Sequence, residues 1–256
     1  MGARAEGKGR GGEVIEVEGL VKTYGSVRAV QGLSMTVGKG EIVGLVGPNG
    51  AGKTTTLRCL TGIIPPTSGL VRIGGFDLMA QPLEAKRRLA FVPDEPRLFD
   101  YLTSWDHLII TARLYGVEDG AARAKLLLDE LELGDRRDAY PSELSRGMKQ
   151  KLMVAMALLH RPEALLLDEP LTGLDPAAMR RMKNRIRETA RSGVAVILSS
   201  HMLHLVEELC RRVAIVVAGK IAHEGTLDEI RGALPEGGRG DLESIFLQAV
   251  GEGGTD

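Results

Sequence analysis

The sequence is short of several things, and each shortage removes a class of protein. Only two of its 256 residues are cysteine, Cys59 and Cys210. That is too few for a disulfide framework, and both read as reduced, buried thiols of a cytosolic protein. Charge of either sign is also missing in excess: Lys+Arg 33 against Asp+Glu 34 leave a formal net charge of −1. Nothing global therefore points to nucleic acid, and the basic clusters Lys86-Arg87-Arg88 and Arg180-Arg181 read as solvated helix faces. Long hydrophobic runs are absent. The longest, such as Met153 to Leu159 and Val213 to Ala218, fall far below the about 18 residues of a membrane span. Any role at a membrane must come through a partner. Residues 1–12 are rich in Gly, Arg and Lys without an apolar stretch, so they are expected to be a disordered leader and no signal peptide. No internal repeat or extended low-complexity tract is visible.

What is present is material for a buried core, 43% of the residues being hydrophobic. Strand-like runs fall at Glu13 to Glu18, Val27 to Val37, Ile42 to Val46, Val71 to Ile73, Leu89 to Val92, Ala164 to Leu167, Val194 to Leu198 and Val213 to Val217. Helical stretches fall at Lys53 to Thr61, Leu83 to Arg88, Asp106 to Tyr115, Ala121 to Leu131, Arg146 to Leu159 and Ala177 to Arg191. Leu165-Leu166-Leu167 and Val194 to Leu198 are apolar throughout, as parallel strands covered on both faces require. The expected class is α/β with a mainly parallel sheet, an N-terminal antiparallel β-layer, and a helical insertion where Ser104 to Leu144 lacks strand signals. Ala218-Gly219-Lys220-Ile221 reads as a hairpin turn, and Leu242 to Val250 as a short C-terminal helix.

The chemistry begins at Gly47-Pro48-Asn49-Gly50-Ala51-Gly52-Lys53-Thr54, a G-x-x-x-x-G-K-[ST] loop between a strand and a helix. Such a loop turns backbone N–H groups and a helix N-terminus toward a polyphosphate. Lys53 is expected to reach the β- and γ-phosphates, and the Thr54 hydroxyl to ligate Mg²⁺, with Thr55 next in the helix. A second motif, Ala164-Leu165-Leu166-Leu167-Asp168-Glu169-Pro170, ends an apolar strand in two acids. Asp168 suits Mg²⁺, and Glu169 suits general-base activation of the attacking water. Between the two lies Leu144-Ser145-Arg146-Gly147-Met148-Lys149-Gln150, where Ser145 and Gly147 open a long helix as an N-terminal anion site.

In that order these motifs resemble the nucleotide-binding subunits of ATP-binding cassette (ABC) transporters, and the resemblance spans about Val14 to Gly225. Gly47 to Thr54 matches Walker A, Leu144 to Met148 the signature, Leu165 to Glu169 Walker B, Leu174-Asp175 the D-loop, and His201 the switch histidine that contacts the γ-phosphate. Tyr24, in Lys22-Thr23-Tyr24-Gly25, sits where the family stacks an aromatic on adenine. The resemblance implies a P-loop NTPase core over residues 13–225, with a helical subdomain about 95–150 and a C-terminal helical extension and flexible tail over 226–256. It implies ATP and Mg²⁺ as cofactors, and ATP hydrolysis between Walker A of one subunit and the signature of another. It also implies a membrane permease subunit docked near Phe91 to Thr103. The chain would then sit peripherally on the cytoplasmic side of the membrane, most simply as a homodimer, a heterodimer being the alternative, with no nucleic-acid partner.

Three positions depart from the family pattern. Asp94, in Pro93-Asp94-Glu95-Pro96, stands where Gln is usual. A carboxylate can ligate Mg²⁺ but cannot donate as an amide can. Asp94 is therefore a candidate metal or water residue, one that stands back until the membrane partner moves it, or a turn residue. Arg146 replaces the first signature glycine and Met148 the usual Gln. The Arg146 side chain must point away or add positive charge to a phosphate across the dimer. Together these features look like bacterial exporter-type subunits. A soluble ABC ATPase of ribosomes or nucleic acid is the alternative, but such relatives carry two cassettes or a long coiled-coil insertion. A monomeric phosphate-loop switch or kinase leaves the signature, D-loop and His201 without a role.

Overall fold

The computed structural model of the protein describes residues 12–232 and, beyond them, Leu242, Glu243, Phe246, Leu247 and Gly251. The leader and the Gly-rich Pro235 to Gly240 stretch lie outside the described residues. So does most of the expected C-terminal helix, of which Leu242 is buried and Phe246 packs on the core.

Two sheets organise the chain. The first is antiparallel: β1 (Glu13–Tyr24), β2 (Val27–Gly38), β4 (Ser68–Ile73) and the two-residue β5 (Phe76–Asp77), in the order β2-β1-β4-β5. β1 runs well past the Glu13 to Glu18 core seen in the sequence. It absorbs Gly19 through register shifts against both neighbours, so bulges carry the ladder across a glycine that would otherwise end it.

The second sheet has six strands, ordered β10-β9-β3-β8-β7-β6. They are β3 (Ile42–Val46), β6 (Leu89–Val92), β7 (Ala164–Asp168), β8 (Ala195–Ser199), β9 (Arg212–Val217) and β10 (Lys220–Thr226). All neighbours are parallel except the edge hairpin β9–β10, which turns at Ala218-Gly219 as the sequence indicates. The apolar strands alternate between two covers. Leu165, Leu167, Val196 and Leu198 join one core cluster, while Ala164, Leu166, Ala195 and Ile197 join the other, which is why uniform rather than alternating hydrophobicity marks them.

One cover contains α1 (Lys53–Leu60) and the antiparallel sheet, with α2 (Pro82–Arg87) beside it. The other contains α3 (Ser104–Tyr115), α4 (Gly120–Glu130), α5 (Arg146–Leu159), α6 (Pro176–Arg191), α7 (Leu203–Leu209) and α8 (Leu227–Gly232). The last two short helices carry too few periodic positions to stand out in the sequence. α3 starts at a full capping box: Asp106 Oδ2 accepts from the Thr103 N–H at 3.0 Å, and Thr103 Oγ1 accepts from the Asp106 N–H at 3.1 Å. α3 and α4 occupy the stretch where strands were not expected, forming the helical insertion. Among the described residues no helix is long and apolar enough to cross a membrane.

Helix α7 lies close against β3, and Gly44 makes that approach possible. A Cβ there would meet Val206 Cγ1 at 2.4 Å and Cys210 Sγ at 3.2 Å, both in fully packed surroundings. Gly44→Ala is expected to cost about 1–3 kcal/mol through overpacking, lowering the thermal midpoint by several degrees. Thermal unfolding followed by circular dichroism measures it, and an unchanged midpoint would show that α7 yields freely.

Candidate functional site

The register of the large sheet gathers the chemistry at one edge. Leu45 of β3 pairs with Ser199 of β8, which pairs with Asp168 of β7, and Val92 of β6 pairs with Leu167. The strands therefore end level. The loop 47–54 leaves β3, Glu169 follows β7, His201 follows β8, and Asp94 follows β6. A cavity of about 430 Å³ opens there, lined by Asn49, Gly50, Gly52, Lys53, Thr54, Thr55, Asp94, Asp168, Glu169 and His201 of the expected set. Ala29 and Thr172 also line it; nothing in their sequence context marks them.

The loop has no room for other residues at two of its glycines. A Cβ at Gly47 would lie 2.3 Å from the Val216 carbonyl oxygen, and one at Gly52 2.4 Å from that of Ala29. Gly52 also has φ 104° and heads α1 without any side-chain cap. The first-turn N–H groups of α1 are thus left for a ligand rather than capped by the chain itself. Lys53, buried to 8% exposure, donates to the carbonyls of Gly47 at 2.6 Å and Pro48 at 3.0 Å. Burial pushes its ammonium down, against the pull of Glu169 and Asp168.

Asp168 is 3% exposed. Burial pushes its carboxyl up, the Thr54 and Ser199 hydroxyls pull it down, and the charges of Glu169 and Asp94 push it up again. Ser199 Oγ is close enough to weigh on Asp168, yet it makes no well-aligned hydrogen bond; nor does Thr172 Oγ1 in the cavity wall. An orphaned buried hydroxyl in the cavity wall, as at Thr172, calls for a partner from outside the chain. Among the described residues no three His, Cys, Asp or Glu side chains gather tightly enough to hold a metal alone. A hydroxyl, a buried carboxylate and a phosphate-binding loop fit a cation that shares its ligands with phosphate oxygens.

Glu169 adopts a left-handed backbone at φ 49°, as do Glu132, Arg161 and Ala218 away from the cavity, a conformation uncommon for non-glycine residues. Its carboxylate is fixed by three donors: Ser200 Oγ at 3.1 Å, the His201 N–H at 2.9 Å and His201 Nδ1 at 2.8 Å. A carboxylate can only accept when ionised, so the imidazole holds its proton on Nδ1 there and leaves Nε2 for other contacts.

The structure leaves several sequence-selected residues off the cavity. Tyr24 ends β1 with 47% exposure, its ring carrying the Lys22 ammonium 4.9 Å from the centroid. Gly47, Pro48 and Ala51 shape the loop from behind. Ser145 caps α5, accepting from the Met148 N–H at 3.3 Å, and Gly147 packs by Leu174, so neither faces its own cavity. Asp175 caps α6 through the Ala178 N–H at 2.9 Å, which holds its carboxyl below the usual range. Asp94 stands free of none of this: Arg146 Nη2 meets Asp94 Oδ1 at 3.2 Å. The Arg146 side chain is thus turned inward to its own chain. Asp94 lines the cavity as expected, but as half of an ion pair rather than as a bare ligand or a simple turn residue.

The ABC transporter family model matches residues 30–172, which contain the phosphate loop, Asp94, the signature and Asp168-Glu169. The chain belongs to the ABC transporter ATP-binding family. It is an ATP-binding and ATP-hydrolysing subunit, and the reading as a soluble ribosome or nucleic-acid ATPase falls away. It is similar to the linearmycin resistance ATP-binding protein LnrL of Bacillus subtilis (strain 168), with 34% identity covering 85% of this chain and 70% of that protein. It is similar also to the Nod factor export ATP-binding protein I of Paraburkholderia xenovorans (strain LB400), with 39% identity covering 82% and 70%. A solved structure of the ATP-binding subunit of an ABC transporter superposes with TM-score 0.87 at 34% identity, covering 92% of this chain and 99% of that one.

Because folded Asp168 holds its proton more tightly than the unfolded chain does, its ionised form costs stability at neutral pH, and the cost fades as pH falls through the raised value. Asp168→Asn is therefore expected to raise the thermal midpoint of the nucleotide-free protein at neutral pH. The gap should narrow in acid. A midpoint at or below wild type would show the charge is already well solvated.

Proposed function

We propose that this ATPase cassette, over residues 13–225, powers export through a separate membrane permease as a homodimer at the cytoplasmic face, peripheral to the membrane. The observation that carries the two-chain reading is a separation. Lys53, Asp168, Glu169 and His201 converge on one cavity, whereas Ser145 and Gly147 lie off it at another helix end. Each chain thus offers a phosphate-binding face and a capped helix N-terminus that its own cavity does not use, the complement a second copy would need. Export is supported by the names of the similar proteins, one in antibiotic resistance and one in export.

In this reading Lys53 exchanges the Gly47 and Pro48 carbonyls for the β- and γ-phosphates of ATP. Thr54 and Asp168 would hold Mg²⁺, which would neutralise charge on the phosphates. Tyr24, exposed at the end of β1, offers a flat face to adenine. Glu169, aimed by Ser200 and His201, accepts the proton of the water that attacks the γ-phosphorus as the bond to the β-phosphate oxygen breaks. The Nε2 side of His201 faces the γ-phosphate and fixes it for in-line attack.

Docking of the permease is assigned to the loop before α3. Phe99 and Tyr101 are 70% and 93% exposed, large apolar surfaces of which only the Phe99 ring has a neighbour among the described residues, stacking on His107 with centroids 6.1 Å apart. Buried His107 holds that loop: its Nε2 accepts from the Phe99 N–H at 2.9 Å and its Nδ1 donates to the Thr103 carbonyl at 2.7 Å.

Three experiments test these assignments. Glu169→Gln is expected to retain ATP binding, lose turnover by about 10²-fold or more and accumulate a dimer in gel filtration with ATP; wild-type turnover would remove Glu169 as the base. Lys53→Ala is expected to lose nucleotide binding, and normal ATP affinity would count against the loop assignment. Affinity purification from detergent-solubilised membranes should recover a multi-span protein with wild type and much less of it with Phe99→Ser plus Tyr101→Ser. Equal recovery would move the docking surface elsewhere.

A further inference from the structure

Two of the departures from the family pattern, Asp94 and Arg146, lie 52 residues apart in sequence and touch each other. The cavity that Asp94 lines is already crowded with negative charge. Asp94, Asp168 and Glu169 face it, and Lys53 is the one Lys or Arg among its lining residues. Burial is the main push on the Asp168 carboxyl, and the charges of Glu169 and, least, Asp94 add to it in the same direction. A carboxylate so placed opposes a polyanionic ligand unless something offsets it.

Arg146 is aimed to do so. It is the first residue of α5, and its stem crosses the flat back of Gly173. A Cβ at Gly173 would lie 3.3 Å from Arg146 Cδ and 3.4 Å from Nε. Gly173, at φ 77°, supplies the left-handed turn and the room. Two contacts therefore fix the direction of the guanidinium, one to Gly173 and one to Asp94. The pair is half-exposed on both sides, and ion pairs of that kind add little to folding stability. Its effect is on the field at the cavity rather than on the fold. Asp94 also lines a second recess of about 300 Å³ with Thr54, Arg58 and Arg97, so the carboxylate stands in the partition between two spaces and its position matters to both.

We propose that Arg146 is a positioning residue for the nucleotide cavity of its own chain: its guanidinium neutralises Asp94 and holds it at the wall, coupling the signature end of α5 to nucleotide affinity within one subunit. This rests on the cavity being the nucleotide site, which Lys53→Ala tests separately.

The probe is Mg-ADP, titrated onto the full-length chain at concentrations where light scattering gives a monomer, so that no second subunit contributes. Arg146→Gln is expected to weaken binding about threefold to fivefold, the range of an exposed pair. Arg146→Lys should stay near wild type. Asp94→Asn should bind at least as well as wild type, and Arg146→Gln in the Asp94→Asn background should have no further effect, since the charge to be offset is gone. The proposal is overturned if Arg146→Gln leaves monomer binding unchanged, including the case where it impairs only turnover, which would place its action across the dimer. It is equally overturned if the loss persists in the Asp94→Asn background. If Lys53→Ala binds Mg-ADP normally, the cavity assignment fails instead, and the two failures are distinct.

Discussion

The hydrogen-bond register of β3, β8 and β7 is the constraint on which the site depends. A parallel strand that slipped by one residue would move every side chain to the opposite cover. Here each strand is buried on both faces, so a slip is resisted by two cores at once. Leu45, Ser199 and Asp168 end in one row because Leu166 and Ile197 pack on one side while Leu167 and Leu198 pack on the other. The phosphate loop, the buried acid and the left-handed Glu169 are consequences of where those strands stop.

The site holds its charges in unfavourable places. Lys53 and Asp168 are both buried, and burial opposes the ionised form of each. The lysine is temporarily satisfied by loop carbonyls, Glu169 by Ser200 and His201, and Asp94 by Arg146. In the proposed mechanism ligand binding exchanges these internal partners for phosphate oxygens and a cation. Preorganisation of this kind puts the energetic burden on the folded protein rather than on the chemical step.

Much of this was legible in the sequence, because the signals were local. The phosphate loop, the apolar strand ending in Asp168-Glu169, and the uniform hydrophobicity of β7 and β8 each sit in one short window. What escaped was non-local. Ala29 faces the cavity because β2 lies across the loop, and Thr172 because the chain turns sharply after Glu169. Neither has a residue type that advertises it. The length of β1 was hidden by bulges around Gly19. The turn of Arg146 toward Asp94 could be read from neither neighbourhood, since each residue alone looks like a substitution in its own motif.

The imidazole of His107 grips the loop before α3 by hydrogen bonds to its main chain, at the Phe99 N–H and the Thr103 carbonyl, and stacks besides on the Phe99 ring. Away from Phe99, backbone shape and side-chain identity are therefore separate variables in that loop. Tyr101, 93% exposed, can be exchanged without redrawing the path of the chain beneath it. A cassette built this way can change the partner it fits by altering a few outward-facing side chains, while its catalytic edge stays the same.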